Sequence, residues 1–301
     1  MKESKSLLTN EELIADVTEQ CLTLKANGEE VRELNYVLGH SQREIRRLMT
    51  QAAILRPVTE RLLRNAQIGP GMRVLDLGCG AGDVSLLAAQ SVGPMGLVVG
   101  IDRSREVLAL AAERAQAAGL RNIRFEQASV EGFSSPEPFD LVIGRYILIH
   151  QADPVGFLRA AAGLVSPGGC IAFHEIRLLQ SFDSLPPLPM WQLTGNLIQM
   201  ACQSALPHYD VSDRLIECFS EAGLPQPDVF CETPVGGGID SPLYDWAAET
   251  LHSFLPRLAQ MGIAFGEGVG IDTLGNRLRD AAIEARSQIV APGQLCAWAR
   301  I

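Results

Sequence analysis

The sequence predicts an α/β fold in which short buried strands and helices alternate around a parallel sheet. A first strand, Arg73–Leu77, runs into glycines at 78, 80 and 82 and then into a helical pattern. A second apolar strand, Gly96–Asp102, ends in a carboxylate 20 residues after the last of these glycines. With 301 residues, 47% of them hydrophobic, the chain is long enough for one large domain with additions.

Helices are predicted ahead of the first strand. Residues 10–25 carry an apolar stripe at helical spacing and acidic residues in the first turn. This helix covers the ligand site, pairs with a second subunit in a homo-oligomer, or packs on its own domain, and the sequence leaves these three alternatives open. Two more helices, Gln42–Ala53 and Pro57–Asn65, lead to the first strand.

The spacing of the central glycines distinguishes between nucleotide ligands. Gly78, Gly80 and Gly82 form G-x-G-x-G, whereas a dinucleotide-binding turn has G-x-G-x-x-G. Asp76 would repel a pyrophosphate but attract a cationic amino group. Asp102 is placed to accept both ribose hydroxyls of a nucleoside. The predicted ligand therefore has a ribose, a positive charge and no phosphate, as S-adenosylmethionine does; a nucleotide-dependent dehydrogenase and a turn without ligand are the disfavoured alternatives.

The chain resembles the class I S-adenosylmethionine-dependent methyltransferases in four segments. They are Asp76–Gly82, Gly100–Asp102, Phe139–Arg145 and Pro167–Gly169, which together span roughly the middle of the sequence. The resemblance implies a Rossmann-like, seven-stranded, mostly parallel sheet with helices on both faces. It also implies that the last strand, Leu295–Ile301, inserts antiparallel, and that helical additions form a cap.

The remaining elements follow in order along the chain. Asp83 is predicted to cap the helix after the glycine turn, and Ser104 to cap the next, which Gly119 ends. The later elements are a strand at Ile123–Gln127, a helix that starts at Asp153-Pro154 and runs to Val165, a strand at Cys170–Glu175, a helix at Val211–Ala222, a strand at Asp228–Thr233 and a helix near Thr273–Ser287.

Two domain-level regions are predicted. An N-terminal helical extension or lid occupies 1–56, and the methyltransferase domain occupies 57–301 with cap insertions near 178–210 and 236–290. The apolar residues around Trp191 either form a lid over the methyl donor or are the underside of a packed helix.

Further cofactor contacts are implied by the resemblance. It places a tyrosine loop and the following helix over the cofactor, and it places Arg103 beside the adenine. Ser129 stands where a typical member has an acid that holds the adenine amino group. The complete predicted set is Tyr36, Gln51, Asp76, Gly78, Cys79, Gly80, Asp102, Arg103, Ser129, Val130 and Arg145.

Three residues are candidates for the chemistry. His150 follows the fourth strand and is a general base, a substrate hydrogen-bond donor or a structural histidine. His174 is a second candidate base, or else holds the rim of the site together with Glu175, and Tyr36 is the third. No metal is predicted, because Leu178 stands where an H-E-x-x-H motif needs its second histidine.

The implied reaction is an in-line displacement. An O, N or activated C atom of a small, partly apolar metabolite attacks the sulfonium methyl group and S-adenosylhomocysteine is released. A base is needed only for a poorly acidic nucleophile. The alternative is an S-adenosylmethionine-binding protein of the same fold that catalyses another reaction or has a non-catalytic role.

Composition restricts the expected partners and compartment. The formal net charge of −10 argues against nucleic acid and anionic membranes and in favour of a small, neutral or cationic metabolite. That this metabolite belongs to natural-product biosynthesis is implied by the resemblance alone. The 7 cysteines include no C-x-x-C pair, which predicts a reducing, cytoplasmic compartment. The first residues show no apolar signal core, and no apolar run of membrane-spanning length is uninterrupted.

Overall fold

The computed structural model describes residues 42–263 and 270–301, and a seven-stranded sheet forms its centre. The strands along the chain are β1 (Arg73–Leu77), β2 (Leu97–Asp102), β3 (Ile123–Gln127), β4 (Phe139–Arg145), β5 (Val165–Ile176), β6 (Asp183–Leu185), β7 (Asp228–Glu232), β8 (Val235–Gly236), β9 (Gln288–Val290) and β10 (Gln294–Arg300). The central sheet has the order β3-β2-β1-β4-β5-β10-β7, with β10 antiparallel to both neighbours. The predicted mostly parallel sheet with an antiparallel last strand is confirmed.

Helices cover both faces of this sheet, as predicted. They are α1 (Gln42–Asn65), α2 (Asp83–Val92), α3 (Arg105–Ala117), α4 (Pro154–Ala162), α5 (Pro189–Ala205), α6 (Leu215–Glu221), α7 (Leu243–Gln260) and α8 (Leu274–Glu284). Successive residues of β1 pack into different hydrophobic cores, with Leu75 and Leu77 on one face of the sheet and Val74 on the other. This alternation follows from the two-residue period of a strand, which directs successive side chains to opposite faces.

The region ahead of β1 differs from the prediction. Two helices were predicted on either side of position 56, but α1 runs through Pro57 as one helix and crosses the predicted domain boundary. Pro57 is exposed, so its ring lies on the outer side of the helix while Val58 and Leu62 are buried. Burial of that inner face compensates for the one main-chain hydrogen bond that proline removes. The predicted helix at 10–25 and Tyr36 lie outside the described residues.

Two other predicted boundaries are wrong. The helix predicted to reach Val165 ends at Ala162, and Val165 already belongs to β5. The register between β4 and β5 shifts from Phe139 opposite Val165 to Leu141 opposite Cys170, so the glycines in between form an irregularity inside the strand. The helix predicted over 211–222 is a short 3-10 turn followed by α6, which begins at Leu215.

The cap insertions fold together on one side of the sheet. They include a small antiparallel sheet with the order β6-β9-β8, whose strands of two or three residues are too short for a sequence pattern to indicate. Phe182 stacks on Trp246 at 6.0 Å and 4°, and also contacts Trp191 at 5.3 Å. Trp191, in the apolar stretch on α5, is fully buried. For this residue, the structure agrees with the underside of a packed helix rather than with a lid.

The described part of the chain contains neither a membrane-spanning helix nor a cluster of metal ligands. None of its helices is long and apolar enough to cross a membrane. Within the same residues, no group of three or more His, Cys, Asp and Glu side chains is placed to hold a metal ion.

Candidate functional site

The glycine turn after β1 presents main chain to open space. Gly78, Gly80 and Gly82 have φ values of 63°, 52° and 82°, in the left-handed region that favours glycine. A Cβ built on Gly78 would lie 2.5 Å from Ile147 Cδ1, so this glycine is required for packing against the loop after β4. A Cβ built on Gly80 would meet no atom within 4 Å. Gly80 is therefore the position in the turn where a ligand has room to approach the main chain.

Asp102 holds the glycine turn and the start of α3 together. Its Oδ2 accepts a hydrogen bond from the Gly80 N–H at 3.0 Å, and its Oδ1 accepts one from the Ser104 N–H at 2.9 Å. A carboxylate has about four acceptor positions, so these two bonds leave capacity for ligand hydroxyls. Ser104 occupies the predicted N-cap position, but its side chain makes no capping bond to the first turn of α3.

Asp76 is buried beneath the turn, with 1% of its surface exposed. The Ser85 hydroxyl donates a hydrogen bond to its Oδ2 at 2.5 Å. Burial raises the pKa of the Asp76 carboxyl to about 7, and the Ser85 bond and the Arg145 charge oppose that rise. Asp76 and Ser85 therefore form a buried pair beneath the turn.

Asp83 begins α2 but does not cap it, which corrects the prediction. The N-cap position belongs to Gly82, in a left-handed conformation. The Asp83 carboxylate instead pairs with Arg114 at 2.7 Å and with Arg145 at 3.5 Å. Arg145 is the last residue of β4, so the ion pair ties the end of that strand to the start of α2.

The loop after β4 is held in a strained conformation. Tyr146 has a φ of 55°, which is rare for a non-glycine residue and costs about 1–3 kcal/mol. Its N–H donates to the His174 carbonyl at 2.9 Å, and the next two N–H groups, of Ile147 and Leu148, donate to Glu175 Oε1 at 3.0 and 2.9 Å. Burial raises the pKa of the Glu175 carboxyl to about 8. The end of β5 therefore fixes the loop beside the glycine turn.

The two candidate histidines lie in different environments. His174 is fully buried, and its ring nitrogens contact Thr59 Oγ1 at 3.2 Å and Gln294 Oε1 at 3.1 Å. Burial lowers the pKa of His174 to about 3, so its ring is neutral. This geometry favours the alternative that His174 holds the rim over a role as base. His150 lies in a 3-10 turn after β4 and is exposed, but the groups around its ring desolvate it and lower its pKa to about 4, and its role stays a prediction.

The predicted contacts on the adenosine side cluster near the end of β2. The Cys79 N–H donates to the Ile101 carbonyl at 2.9 Å, which fixes the turn against β2. Arg103 is exposed and 3.9 Å from Glu131, and the Ser129 hydroxyl accepts the Gly132 N–H at 3.3 Å. Val130 is buried. The segment after β3 is attached to the end of β2 by the Ala128 N–H, which donates to the Asp102 carbonyl at 3.1 Å.

Gln51 lies on α1 and faces the cap. Its Oε1 accepts hydrogen bonds from Arg47 Nη1 at 2.9 Å and from Trp246 Nε1 at 3.3 Å. Arg47 is itself buried and pairs with Glu44 at 2.6 Å. The oxygen of Gln51 is therefore engaged by one donor from α1 and one from the cap, and its amide nitrogen is the group left to donate further hydrogen bonds.

Sequence reasoning missed three polar residues of this region, Thr59, Gln294 and Arg47. Thr59 and Gln294 contact His174 from α1 and β10, and Arg47 orients Gln51. No motif marks Thr59 and Gln294, because His174 is distant from both in the sequence. Arg47 bonds to Glu44 and Gln51 on its own helix, at a spacing that any helix surface offers. A surface groove of about 810 Å³ beside the outer edge of β3 contains none of the predicted site residues.

Comparisons with known proteins match the part of the chain that contains this region. A family profile described as "Methyltransferase domain" matches residues 68–221, which are 154 of the 301 residues. The match starts just ahead of β1 and ends at the end of α6. It therefore covers the glycine turn, Asp102 and the loop after β4.

Individual relatives match a similar share of the chain. The aklanonic acid methyltransferase DauC of Streptomyces sp. (strain C5) is 39% identical over 134 residues, which are 44% of this chain and 60% of that protein. The tRNA (guanine(6)-N2)-methyltransferase of Thermus thermophilus is 36% identical over 162 residues, covering 49% of this chain and 48% of that protein. The chain thus matches about half of the length of these relatives.

A solved structure extends the similarity to most of the fold. The BH2331 protein of Bacillus halodurans aligns with a TM-score of 0.54 at 17% identity, covering 80% of this chain and 97% of that protein. At this identity, the alignment shows that the two proteins share a fold.

Proposed function

The chain belongs to the family of methyltransferase domains, and on that premise we propose that it transfers a methyl group from S-adenosylmethionine to a small, partly apolar metabolite. The observation that carries the proposal is the pairing of Gly80 with Asp102. Gly80 offers open main chain, and the carboxylate that fixes it retains acceptor capacity for ribose hydroxyls. This arrangement fits an adenosine and needs no phosphate.

The proposed cofactor site has one group of residues for the adenosine and another for the charged amino-acid end. Asp102 would hold the ribose, and Ser129 and Arg103 would flank the adenine. Asp76 lies beneath the turn, within range of the Arg145 charge, and in its ionised form would attract the ammonium group of the amino-acid end. The bound S-adenosylmethionine supplies a methyl group that is activated by its sulfonium charge.

The residues of the chain contribute chiefly alignment and exclusion of water. The strained loop after β4 places Arg145 and Tyr146 at the C-terminal edge of the sheet, where open α/β sheets bind ligands. His150, exposed next to this loop, is the residue we propose to accept a proton or a hydrogen bond from the substrate. Transfer to an O, N or C nucleophile then requires an in-line approach to the methyl group.

A small substrate is favoured over RNA by charge. The formal net charge of −10 opposes binding to a phosphate backbone, which needs Lys and Arg side chains to replace its counterions. DauC is named as a methyltransferase of aklanonic acid, which is not a nucleic acid. The free cysteines of the described residues support the cytoplasmic location that we propose.

Calorimetric titration with S-adenosylmethionine and S-adenosylhomocysteine tests the cofactor assignment. We expect micromolar affinity for the wild-type protein and a loss of at least about tenfold in an Asp102→Ala variant. Asp140→Ala is the matched control, because Asp140 Oδ2 also accepts a backbone N–H, from Arg73 at 2.8 Å, but at the opposite end of the sheet. Wild-type protein that binds neither compound would refute the proposal.

Turnover is tested separately by S-adenosylhomocysteine release. A panel of small aromatic hydroxy compounds and carboxylic acids is the substrate set, with a transfer RNA as the contrasting arm. Release with a small compound and none with RNA is the expected result. Binding without release across the panel would favour the cofactor-binding alternative.

A further inference from the structure

A continuous chain of five buried or half-buried side chains joins α1, β4, β5 and β10 beneath the site. Arg145 Nη1 donates to Thr59 Oγ1 at 3.3 Å, and Thr59 Oγ1 lies 3.2 Å from His174 Nδ1. His174 Nε2 lies 3.1 Å from Gln294 Oε1, which also accepts the Tyr146 hydroxyl at 2.6 Å. Thr59 and His174 are fully buried, and Gln294 is 2% exposed.

The amide of Gln294 defines the proton positions at one end of this chain. Its Nε2 donates to the Pro292 carbonyl at 2.9 Å. A flipped amide would place its oxygen against that carbonyl oxygen, and two acceptors in contact without a proton repel each other. The oxygen of Gln294 therefore faces both Tyr146 and His174, so His174 must carry its proton on Nε2.

The donors and acceptors at the other end of this hydrogen-bonded chain follow from the tautomer of His174. With Nε2 protonated on a neutral ring, Nδ1 of His174 is an acceptor, so the Thr59 hydroxyl donates to it. The same hydroxyl lies 3.2 Å from the Leu55 carbonyl, which shares the proton. The Thr59 oxygen is then free to accept the Arg145 N–H, as arginine can only donate. Each contact therefore pairs a donor with an acceptor, and the Thr59 proton alone is shared between two acceptors.

We propose that this chain is a positioning relay of the active site, in which His174, as the neutral Nε2–H tautomer, fixes Arg145 and Tyr146 at the end of β4. The inference rests on the proposed function in that the groups being fixed flank the cofactor. His174 is thus a positioning residue and touches neither cofactor nor substrate. Thr59 belongs to α1, the helix that also presents Gln51, so docking of α1 and placement of Arg145 depend on each other.

Three threonine variants test the relay. Thr59→Val is isosteric and removes the hydroxyl, and Thr59→Ser restores it. Thr194→Val is the matched control, because Thr194 is also a buried helical threonine and its hydroxyl donates to the Met190 carbonyl one turn earlier at 2.8 Å, just as Thr59 does to Leu55.

The first measurement is the tautomer of His174, by long-range proton–nitrogen NMR on histidine-labelled protein without ligand. A His174→Gln variant assigns its resonances. We expect protonated Nε2 and unprotonated Nδ1 throughout pH 6–8, a shift of the Nδ1 signal in Thr59→Val, and its return in Thr59→Ser. Thr194→Val should leave the signal unchanged. An Nδ1–H tautomer, or an Nδ1 signal that is insensitive to Thr59→Val, would overturn the relay.

The second measurement is affinity for S-adenosylmethionine by calorimetry. Thr59→Val should raise the Kd about tenfold, through loss of the bond that orients a charged group, while Thr59→Ser stays within about twofold of wild type. Equal affinities for Thr59→Val and Thr194→Val, with wild-type protein that binds, would overturn the positioning role. Wild-type protein that fails to bind would instead refute the proposed function, and the NMR result would decide the relay on its own.

Discussion

Replacing Glu175 by glutamine removes a titratable group from the core but keeps its hydrogen bonds to the loop after β4. Glu175 is fully buried, its Oε1 accepts the N–H groups of Ile147 and Leu148, and its Oε2 has no partner among the described residues. Burial raises the pKa of this carboxyl from 4.5 to about 8. Near neutral pH the folded protein therefore carries a proton on Glu175, and the unfolded chain does not.

The sign of the pH dependence follows from this difference in bound protons. Because the folded-state pKa is raised, the protonated carboxyl stabilises the fold fully below about pH 4.5 and loses that contribution as pH rises towards 8. Each pH unit in that interval lowers the free energy of unfolding by about 1.4 kcal/mol. Between pH 5 and pH 7, Glu175 alone should therefore lower the stability of the wild-type protein by about 2–3 kcal/mol.

Urea unfolding of wild type and Glu175→Gln at pH 5 and pH 7 measures this effect. At pH 5 we expect the two proteins to agree within about 1 kcal/mol, because the glutamine oxygen accepts the same two N–H groups. Relative to pH 5, the free energy of unfolding of Glu175→Gln should gain about 2–3 kcal/mol over that of wild type at pH 7. Glu113→Gln, which removes an exposed carboxyl from α3, is the control and should show no such shift. A difference between wild type and Glu175→Gln that is the same at both pH values would refute the reasoning.

Three further predictions concern the turn and the cap. Gly78→Ala should lower the stability of the fold by more than about 1–2 kcal/mol in thermal unfolding, because the strain of a left-handed alanine adds to the 2.5 Å contact with Ile147 Cδ1. Adding Ile147→Val to this variant removes Cδ1 and should recover part of the loss. Gly80→Ala should lose only about 1–2 kcal/mol of stability but most of its S-adenosylmethionine affinity in calorimetry; unchanged affinity would contradict an approach of ligand to this main chain. Glu44→Gln should lower the free energy of unfolding by about 3–5 kcal/mol in urea, because it leaves the buried Arg47 without its counter-charge, and a loss below about 1 kcal/mol would show that solvent reaches the pair.

The parts of the site that could be predicted from sequence lie close together along the chain. The alternation of apolar residues, the glycine spacing and the acid that ends β2 are local patterns, and the structure has β1, the turn and β2 at those positions. Local pattern was insufficient where burial decided the outcome. Pro57 predicts a helix boundary, but packing of the inner face of α1 keeps the helix continuous.

Asp83 shows the same limit within the motif itself. Its position predicted a helix cap, but the left-handed Gly82 takes the N-cap, and two arginines from α3 and β4 engage the carboxylate. Short-range propensity describes what a side chain does when no distant partner competes for it. Here the distant partners are charged and only partly solvated, so the Asp83 carboxylate forms ion pairs with them instead of a helix cap.

By itself, the sequence determined the α/β class, the glycine turn with its two acids and the kind of ligand these residues suit. Only the tertiary structure decided which hydrogen-bond partners His174 has. Thr59 and Gln294 lie 115 and 120 positions away from it, and no spacing rule connects them. They meet because α1 and β10 pack against β5, and a polar ring placed in such a core must find hydrogen-bond partners there or destabilise the fold.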